Sequence, residues 1–417
     1  MTNHLQKIKS ISDLDIKRLQ SEYKTALFDK FLPNMDQYVI DHDLGGFMCS
    51  VNILTMEPDS TNKKTWFEGR GIWTYSFLYN HFEKNPQYLE VARKSKDFIL
   101  KLLPANDRFY FSEYTKQGKP LSELEGDIYG NLFVAEGLAE FSKASGDEQY
   151  LDLAKKIVLK ALDRYDRSDF HYPYHAKSLE KGPRILGHWM IFLSIATQII
   201  RQKPDAEMET LADRCVIAIM KHHLNPEYGL LNEALDHNLQ PFSDSVTNQF
   251  GDIGHGCETL AFVMNYAVLK KNASLFNESS EAFKRHVEVA KDKVYGCYFL
   301  TMPNVNENVY ELRKMQWLPE EILLGALTLI EHTGDEWALN TFVETEAYLR
   351  EKFMRAEYAF SIDSGDRKLE QYSMIRAEHY HYPRQLMVSL LAFERIIARG
   401  KKPSGIFDNE NFSTAIQ

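Results

Sequence analysis

Leu138-Ala139-Glu140-Phe141-Ser142-Lys143-Ala144-Ser145-Gly146-Asp147-Glu148-Gln149-Tyr150-Leu151 stops one helical pattern and starts another. An apolar run ends at Gly146-Asp147, residues that punctuate helices, and a second amphipathic stretch begins at Tyr150-Leu151. The unit recurs. Tyr75–Leu103 turns at Asn85-Pro86 and restarts near Tyr88-Leu89, and Leu327–Phe353 turns at Gly334-Asp335 and restarts near Trp337-Ala338. Weaker copies of the turn lie at Pro204-Asp205, Lys271-Asn272 and Arg399-Gly400. The turns follow one another at intervals of about 60 residues, the mark of a repeated helix–turn–helix unit. Short alternating segments, Gly45–Val51, Phe109–Phe111 and Cys297–Leu300, separate the units and predict small hairpins rather than a sheet. Helix pairs with no sheet to lean on bury both faces by closing on themselves. The predicted fold is therefore all-α, an (α/α)6 barrel with short β-hairpins at the mouth, and an open helical solenoid is the alternative. No Pro/Gly/Ser-rich linker divides the chain, so residues 1–417 read as a single barrel domain.

Composition narrows the function. With 417 residues, 44% of them hydrophobic and 26% charged, the chain can bury a large core and is not a disordered tail. Asp and Glu number 59 against 49 Lys and Arg, the wrong balance for a nucleic-acid partner, which needs a basic face. No apolar run approaches the roughly 20 residues of a membrane span. Met1–Lys7 lacks the apolar stretch of a signal peptide, so the expected location is cytoplasmic. Cys49, Cys215, Cys257 and Cys297 are widely separated, a pattern that predicts neither a disulfide framework nor a zinc site. There is no phosphate loop, no dinucleotide glycine fingerprint and no Gly-x-Ser-x-Gly elbow. His171 and His175 have a metal-like spacing, but Pro173 breaks the helix that would align them. The expected site uses neither metal nor cofactor.

Inner helices are predicted to begin near Trp66, Asp127, His188, His255, Leu318 and Tyr382. Equivalent helices of a closed ring present equivalent phases at the same end. The residues at those starts therefore converge on one mouth: Trp66, Glu68, Arg70 and Trp73; Tyr129 and Asn131; His188; His255 and Glu258; Trp317 and Glu321; His381. Histidines at a helix start also serve as caps, and Trp66, Trp73 and Trp317 also suit a core. Repetition in phase favours a site instead, with tryptophan faces suited to sugar rings.

Five segments in order resemble a known family. Trp66-Phe67-Glu68-Gly69-Arg70-Gly71-Ile72-Trp73 is similar to the W-x-Q-G-R-x-x-W motif of the N-acylglucosamine 2-epimerase family, with Glu68 where Gln is usual. Tyr129-Gly130-Asn131-Leu132-Phe133 resembles its Y-G-Q-A-F, and Gly254-His255-Gly256-Cys257-Glu258 its G-H-x-x-E. Lys314–Glu321 resembles K-x-W-W-P-Q-x-E with Gln316 for the first Trp, and His381-Tyr382-Pro383-Arg384 resembles H-x-P-R. Asp252-Ile253-Gly254-His255 is closer in style to the disaccharide epimerases, whereas His381–Arg384 is closer to the monosaccharide enzymes. The family also contains mannose isomerases and cellobiose 2-epimerases. The resemblance implies an (α/α)6 fold, a free reducing sugar such as an N-acylglucosamine, N-acylmannosamine or hexose as substrate, epimerisation at C2 with two histidines as acid and base, and a homodimer.

Removing a proton from C2 needs a base near neutrality beside groups that stabilise the resulting enediolate. His255 and His381 are the expected proton-transfer pair. A helix N-terminus would keep either neutral, and Pro383 at a first helical position would place His381 just ahead of its helix. Glu258, one turn beyond His255, is expected to orient that ring. His188 is expected to assist ring opening or to hydrogen-bond a hydroxyl, and Arg70 to hold the oxyanion or O1/O2. Trp66, Glu68, Trp73, Tyr129, Asn131, Trp317 and Glu321 complete the expected substrate site. The alternatives are an aldose–ketose isomerase of the same family, an (α/α)6 glycoside hydrolase using Asp127 and Glu321, and a catalytically silent sugar-binding member.

Overall fold

The computed structural model describes residues 7–105, 108–121, 128–170, 183–243 and 245–408. Among these, helices alternate between two concentric rings. The inner ring is α3 (Thr65–His81), α5 (Ile128–Ser145), α7 (Leu186–Gln202), α10 (Ile253–Lys270), α12 (Trp317–Thr333) and α14 (His381–Ala398). The outer ring is α1 (Ile16–Lys24) with α2 (Leu32–Tyr38), then α4 (Pro86–Lys101), α6 (Gln149–Asp166), α8 (Ala206–Ile217), α11 (Ala273–Ala290) and α13 (Glu336–Tyr348). A one-turn helix, α9 (Ser245–Asn248), precedes α10. Each inner helix is buried around most of its circumference, whereas outer helices such as α4 bury one stripe, here Ala92, Ser95, Phe98 and Ile99. Inner helices such as α3 and α5 are covered by their neighbours on every side, so their sequences carry little amphipathic contrast.

The turns between rings obey the local chemistry read from the sequence. Gly146 and Gly334 take the left-handed conformation (φ 73° and 69°) that ends α5 and α12. Asn85, Asp205, Asn272 and Asp335 then cap the outer helices, each side chain accepting from a backbone N–H in the first turn. The ring closes between α14 and α3, where Thr74 Oγ1 donates to the His379 carbonyl (3.1 Å) and His379 Nε2 lies 2.8 Å from the Phe67 carbonyl. A closed barrel replaces the open solenoid.

The strands are shorter than the expected hairpins, and most join different repeats. Lys63–Lys64 pairs with Glu113–Tyr114, Arg184–Ile185 with Ala234–Leu235, Gly251–Asp252 with Thr301–Met302, and Lys314–Met315 with Ser364–Gly365, all antiparallel. Each lies just before an inner helix and pins its N-terminus at the mouth. Two buried lysines reinforce them. Lys63 Nζ donates to Asp41 Oδ2 (2.8 Å) and the Gly45 carbonyl (2.5 Å), and Lys314 Nζ meets Asp292 Oδ2 (3.2 Å) and the Gly296 carbonyl (2.5 Å). A buried ammonium is tolerated because each is paired and hydrogen-bonded. No described helix is long and apolar enough to cross a membrane.

Candidate active site

The mouth is built on the first turns of α10, α12 and α14. Asp252 caps α10 by accepting from the His255 N–H (3.0 Å), and its second oxygen lies 3.7 Å from His255 Nδ1. Fully buried Glu233, in the loop before α10, takes the same Nδ1 at 3.0 Å. Burial works against charge on His255, but Asp252 and then Glu233 outweigh it and push the imidazole up to about 10. His255 is an imidazolium with its Nδ1 proton committed to Glu233, so Nε2 is the atom left to transfer a proton. Contrary to the expectation from the sequence, the helix N-terminus does not keep it neutral, because two carboxylates outweigh a partial dipole charge.

His381 has a parallel arrangement. Its Nδ1 lies 2.8 Å from Glu321 Oε1, which also receives Arg384 Nη2. Arg384 reaches Glu258 at 3.2 Å. Glu258 therefore belongs to the His381 side of the site rather than orienting His255, the role expected for it. Burial raises Glu321, but Arg384 and His381 more than reverse this and leave it ionised, whereas burial and the charge of Glu321 raise Glu258. His381 is itself the first residue of α14, and Pro383 falls at the third position. Glu378 supplies the cap, accepting from the N–H groups of Tyr380 (3.0 Å) and Tyr382 (3.1 Å).

Trp317 lies between the two histidines, its ring 5.8 Å from His255 and 5.6 Å from His381, tilted by 39° and 32°. Gly254 permits this, since a Cβ there would fall 2.6 Å from Trp317 Cη2. Arg70 packs its guanidinium over Phe133 (4.2 Å), Tyr380 (4.6 Å) and Trp66 (5.4 Å), with Nε buried and unbonded. Trp66 is 36% exposed at the rim. The Tyr129 hydroxyl and His255 Cε1 converge over Gly187, and the Tyr129 ring lies 4.4 Å from His188. Asn131 is buried on α5.

Other expected residues lie elsewhere. His188 is fully buried among Tyr129, Tyr165 and Phe170, and burial, then Arg184 and His255, push it down to about 3. It is a neutral wall residue behind Tyr129. Glu68 turns away from the mouth, with Oε1 accepting from the Phe47 N–H (3.0 Å) and Oε2 against Gly46. Trp73 lies deeper along α3, stacked on Phe77 at 4.7 Å. Asp127, His171 and His175 are outside the described residues.

Two groups of potential metal ligands also form, Glu233–Asp252–His255 and Glu258–Glu321–His381, with ligand atoms within 4.8 Å of one another. Linear spacing hid both, because their members come from different repeats. In the second, the guanidinium of Arg384 already occupies the cationic position between the carboxylates.

The ring and its carboxylate-backed histidines define a class, an (α/α)6 barrel with an acid–base mouth. The chain belongs to the N-acylglucosamine 2-epimerase (GlcNAc 2-epimerase) family, which it matches over residues 45–383. It is 21% identical over 369 residues to the cellobiose 2-epimerase of Dictyoglomus turgidum, covering 84% of this chain and 92% of that one. It is 23% identical over 338 residues to the N-acylglucosamine 2-epimerase of Bos taurus, covering 76% and 77%. The fold is similar to that of the cellobiose 2-epimerase from Spirochaeta thermophila (TM-score 0.77, 19% identity, 92% of this chain and 98% of that one). It is also similar to a D-mannose isomerase (TM-score 0.75, 13% identity, 90% and 97%).

Proposed function

We propose that this chain is a sugar 2-epimerase acting on a free reducing sugar, an N-acylhexosamine or a hexose, through an enediolate. The observation that carries the reading is the pair of histidines on non-adjacent inner helices, each with a buried carboxylate on Nδ1 and Trp317 between them. Epimerisation takes a proton from one face of C2 and returns one to the other, so it needs a group on each side. His381 Nε2 takes the C2 proton of the open-chain aldose, and its Nδ1 proton is held by Glu321. The electron pair moves onto O1, which Arg70 stabilises. His255 then delivers its Nε2 proton to the opposite face of C2 as the C1 carbonyl reforms, and the roles exchange in the reverse direction.

A glycoside hydrolase would need two carboxyl groups free to act on a glycosidic oxygen and the anomeric carbon. Of the expected pair, Glu321 is instead bound to His381 and Arg384, and Asp127 lies outside the described residues. Aldose–ketose isomerisation is the second reading, since moving a proton from C2 to C1 can use one histidine alone. We further propose a metal-independent, cytoplasmic homodimer.

The test is a panel of N-acetylglucosamine, N-acetylmannosamine, glucose, mannose and cellobiose, followed by NMR in deuterated water with a chelator present. The expected product is a C2 epimer carrying deuterium at C2. Ketose as the sole product transfers the assignment to the isomerase, and activity that disappears with chelator and returns with a divalent ion removes metal independence.

A further inference from the structure

Behind the histidine mouth the inner ring does not fill its own axis. A cavity of about 1070 Å³ begins at Glu321, Tyr380 and Arg384 and reaches the opposite end of the barrel at Gly146, Glu148 and Lys203. Protein interiors are normally close-packed, and a void of this size, lined by apolar and charged side chains together, has room for an occupant with both kinds of surface. The acids of its wall are already engaged. Glu136 accepts from Tyr380 Oη (2.9 Å) and Ser194 Oγ (3.2 Å), and Glu140 from Asn80 Nδ2 (2.7 Å) and Gln198 Nε2 (3.0 Å).

The far half of the cavity carries Lys143, Arg201, Lys203 and Arg395 against Glu140, Glu148 and Glu331, and Glu148 is paired with Lys203 at 2.9 Å. Arg201, in the last turn of α7, opens to solvent within it and donates to the Asn265 carbonyl at 3.3 Å. No carboxylate among the described residues forms an ion pair with it, and the nearby Arg395 carries like charge. Arg395 and Arg399 share the single carboxylate of Glu331, at 2.7 and 2.9 Å, which leaves that cluster net positive. Lys143 meets a ring nitrogen of His81 at 3.2 Å, and that nitrogen lies 3.7 Å from Glu140 Oε1. Two further features suit a hydroxylated ring. Trp73, Phe77 and His81 form an aromatic ladder along α3, with centroids 4.7 and 4.2 Å apart. Thr197 Oγ1, in the same wall, is buried without a hydrogen-bond partner.

We propose that this far end of the barrel is a second binding site, separate from the histidine mouth, for an anionic sugar whose phosphate or carboxylate is held by Arg201 with Arg395 and Lys143. The ladder and Thr197 receive the ring. A guanidinium pairs with either anion through charge-assisted hydrogen bonds, so the two sources share one chemistry.

The test is calorimetric titration of the full chain with glucose 6-phosphate, glucuronate and neutral glucose, in wild type, Arg201→Gln and Arg201→Lys. Binding heat is read directly, so the result does not depend on the proposed turnover. At least one anionic sugar is expected to bind more tightly than glucose, and the two anions distinguish phosphate from carboxylate. Arg201→Gln is expected to weaken that binding by about tenfold or more, as loss of a charge-assisted contact requires, and Arg201→Lys to restore part of it. Melting temperatures confirm that the variants fold, and basal turnover of Arg201→Gln stays unchanged. Binding of neither anion at millimolar concentration, glucose binding that Arg201→Gln weakens as much as it weakens anion binding, or equal anion affinity in Arg201→Gln overturns the proposal. The last of these also identifies an anion that has entered the histidine mouth instead.

Discussion

Glu233 shows how a loop residue sets the chemistry of a helix terminus. Its carboxylate and that of Asp252 raise His255 to about 10, so this histidine is charged at neutral pH. Removing one charge lowers that value, and the proton is lost at a lower pH. Glu233→Gln is therefore expected to move the alkaline limb of kcat/KM toward neutrality from about pH 10 while leaving the fold intact; an alkaline limb that does not move denies Glu233 this positioning role. Glu68 carries a second prediction. Burial, against the Phe47 hydrogen bond and the attraction of Lys63, raises it from 4.5 to about 8. The folded state holds a proton there that the unfolded chain has released, so stability is full below about 4.5 and is lost as pH rises through about 8. Gln supplies an N–H in place of that O–H without titrating. Glu68→Gln is expected to leave the melting temperature unchanged near pH 5 and raise it at pH 9, and thermal melts at both values check the sign.

At the scale of elements, α3 and α5 approach most closely, and glycine is the reason. A Cβ on Gly69 would lie 2.2 Å from the Phe133 carbonyl carbon, and one on Gly137 2.5 Å from the Gly69 carbonyl oxygen. Backbone cannot move aside as a flexible side chain can. Gly69→Ala is expected to cost at least the 1–3 kcal/mol typical of overpacking, and to lower activity too, because Arg70 is the next residue and Phe133 supports its guanidinium. Thermal melting and turnover measured together check this, and an unchanged melting point would show that the pair can separate freely. Outer helices were readable one by one from their caps and apolar stripes. Inner helices were located by repeat phase, because helices such as α3 and α5, buried all round, carry little amphipathic signal.

Over the whole molecule, closure distinguishes this barrel from an open array of the same units. An open stack has terminal repeats that fray, whereas here α14 packs on both α1 and α3. Unfolding by denaturant is expected to be one cooperative transition, with tryptophan fluorescence and far-ultraviolet circular dichroism coincident. The tryptophans report from several repeats, at Trp66 and Trp73, Trp189, Trp317 and Trp337. Separate transitions by the two probes would show that repeats open individually.

The repeat period, the turn chemistry at Gly146, Asp205, Asn272 and Gly334, and the phase that gathers His255, Trp317, Glu321 and His381 at one end all follow from the sequence, because helix punctuation and periodicity are local properties. Which carboxylate serves which histidine was decided by tertiary structure. Glu233 lies 22 residues before His255 in a segment with no helical period, and Glu321 lies 60 residues before His381. Glu258, one turn from His255, turns instead to Arg384. Glu68 and Trp73 shared the sequence phase of the mouth yet point to a hairpin and to the axial cavity. Position along a helix sets the height of a residue in the barrel. The direction of its side chain, and the partner that changes its charge, depend on neighbouring helices and loops that only the closed ring brings into contact.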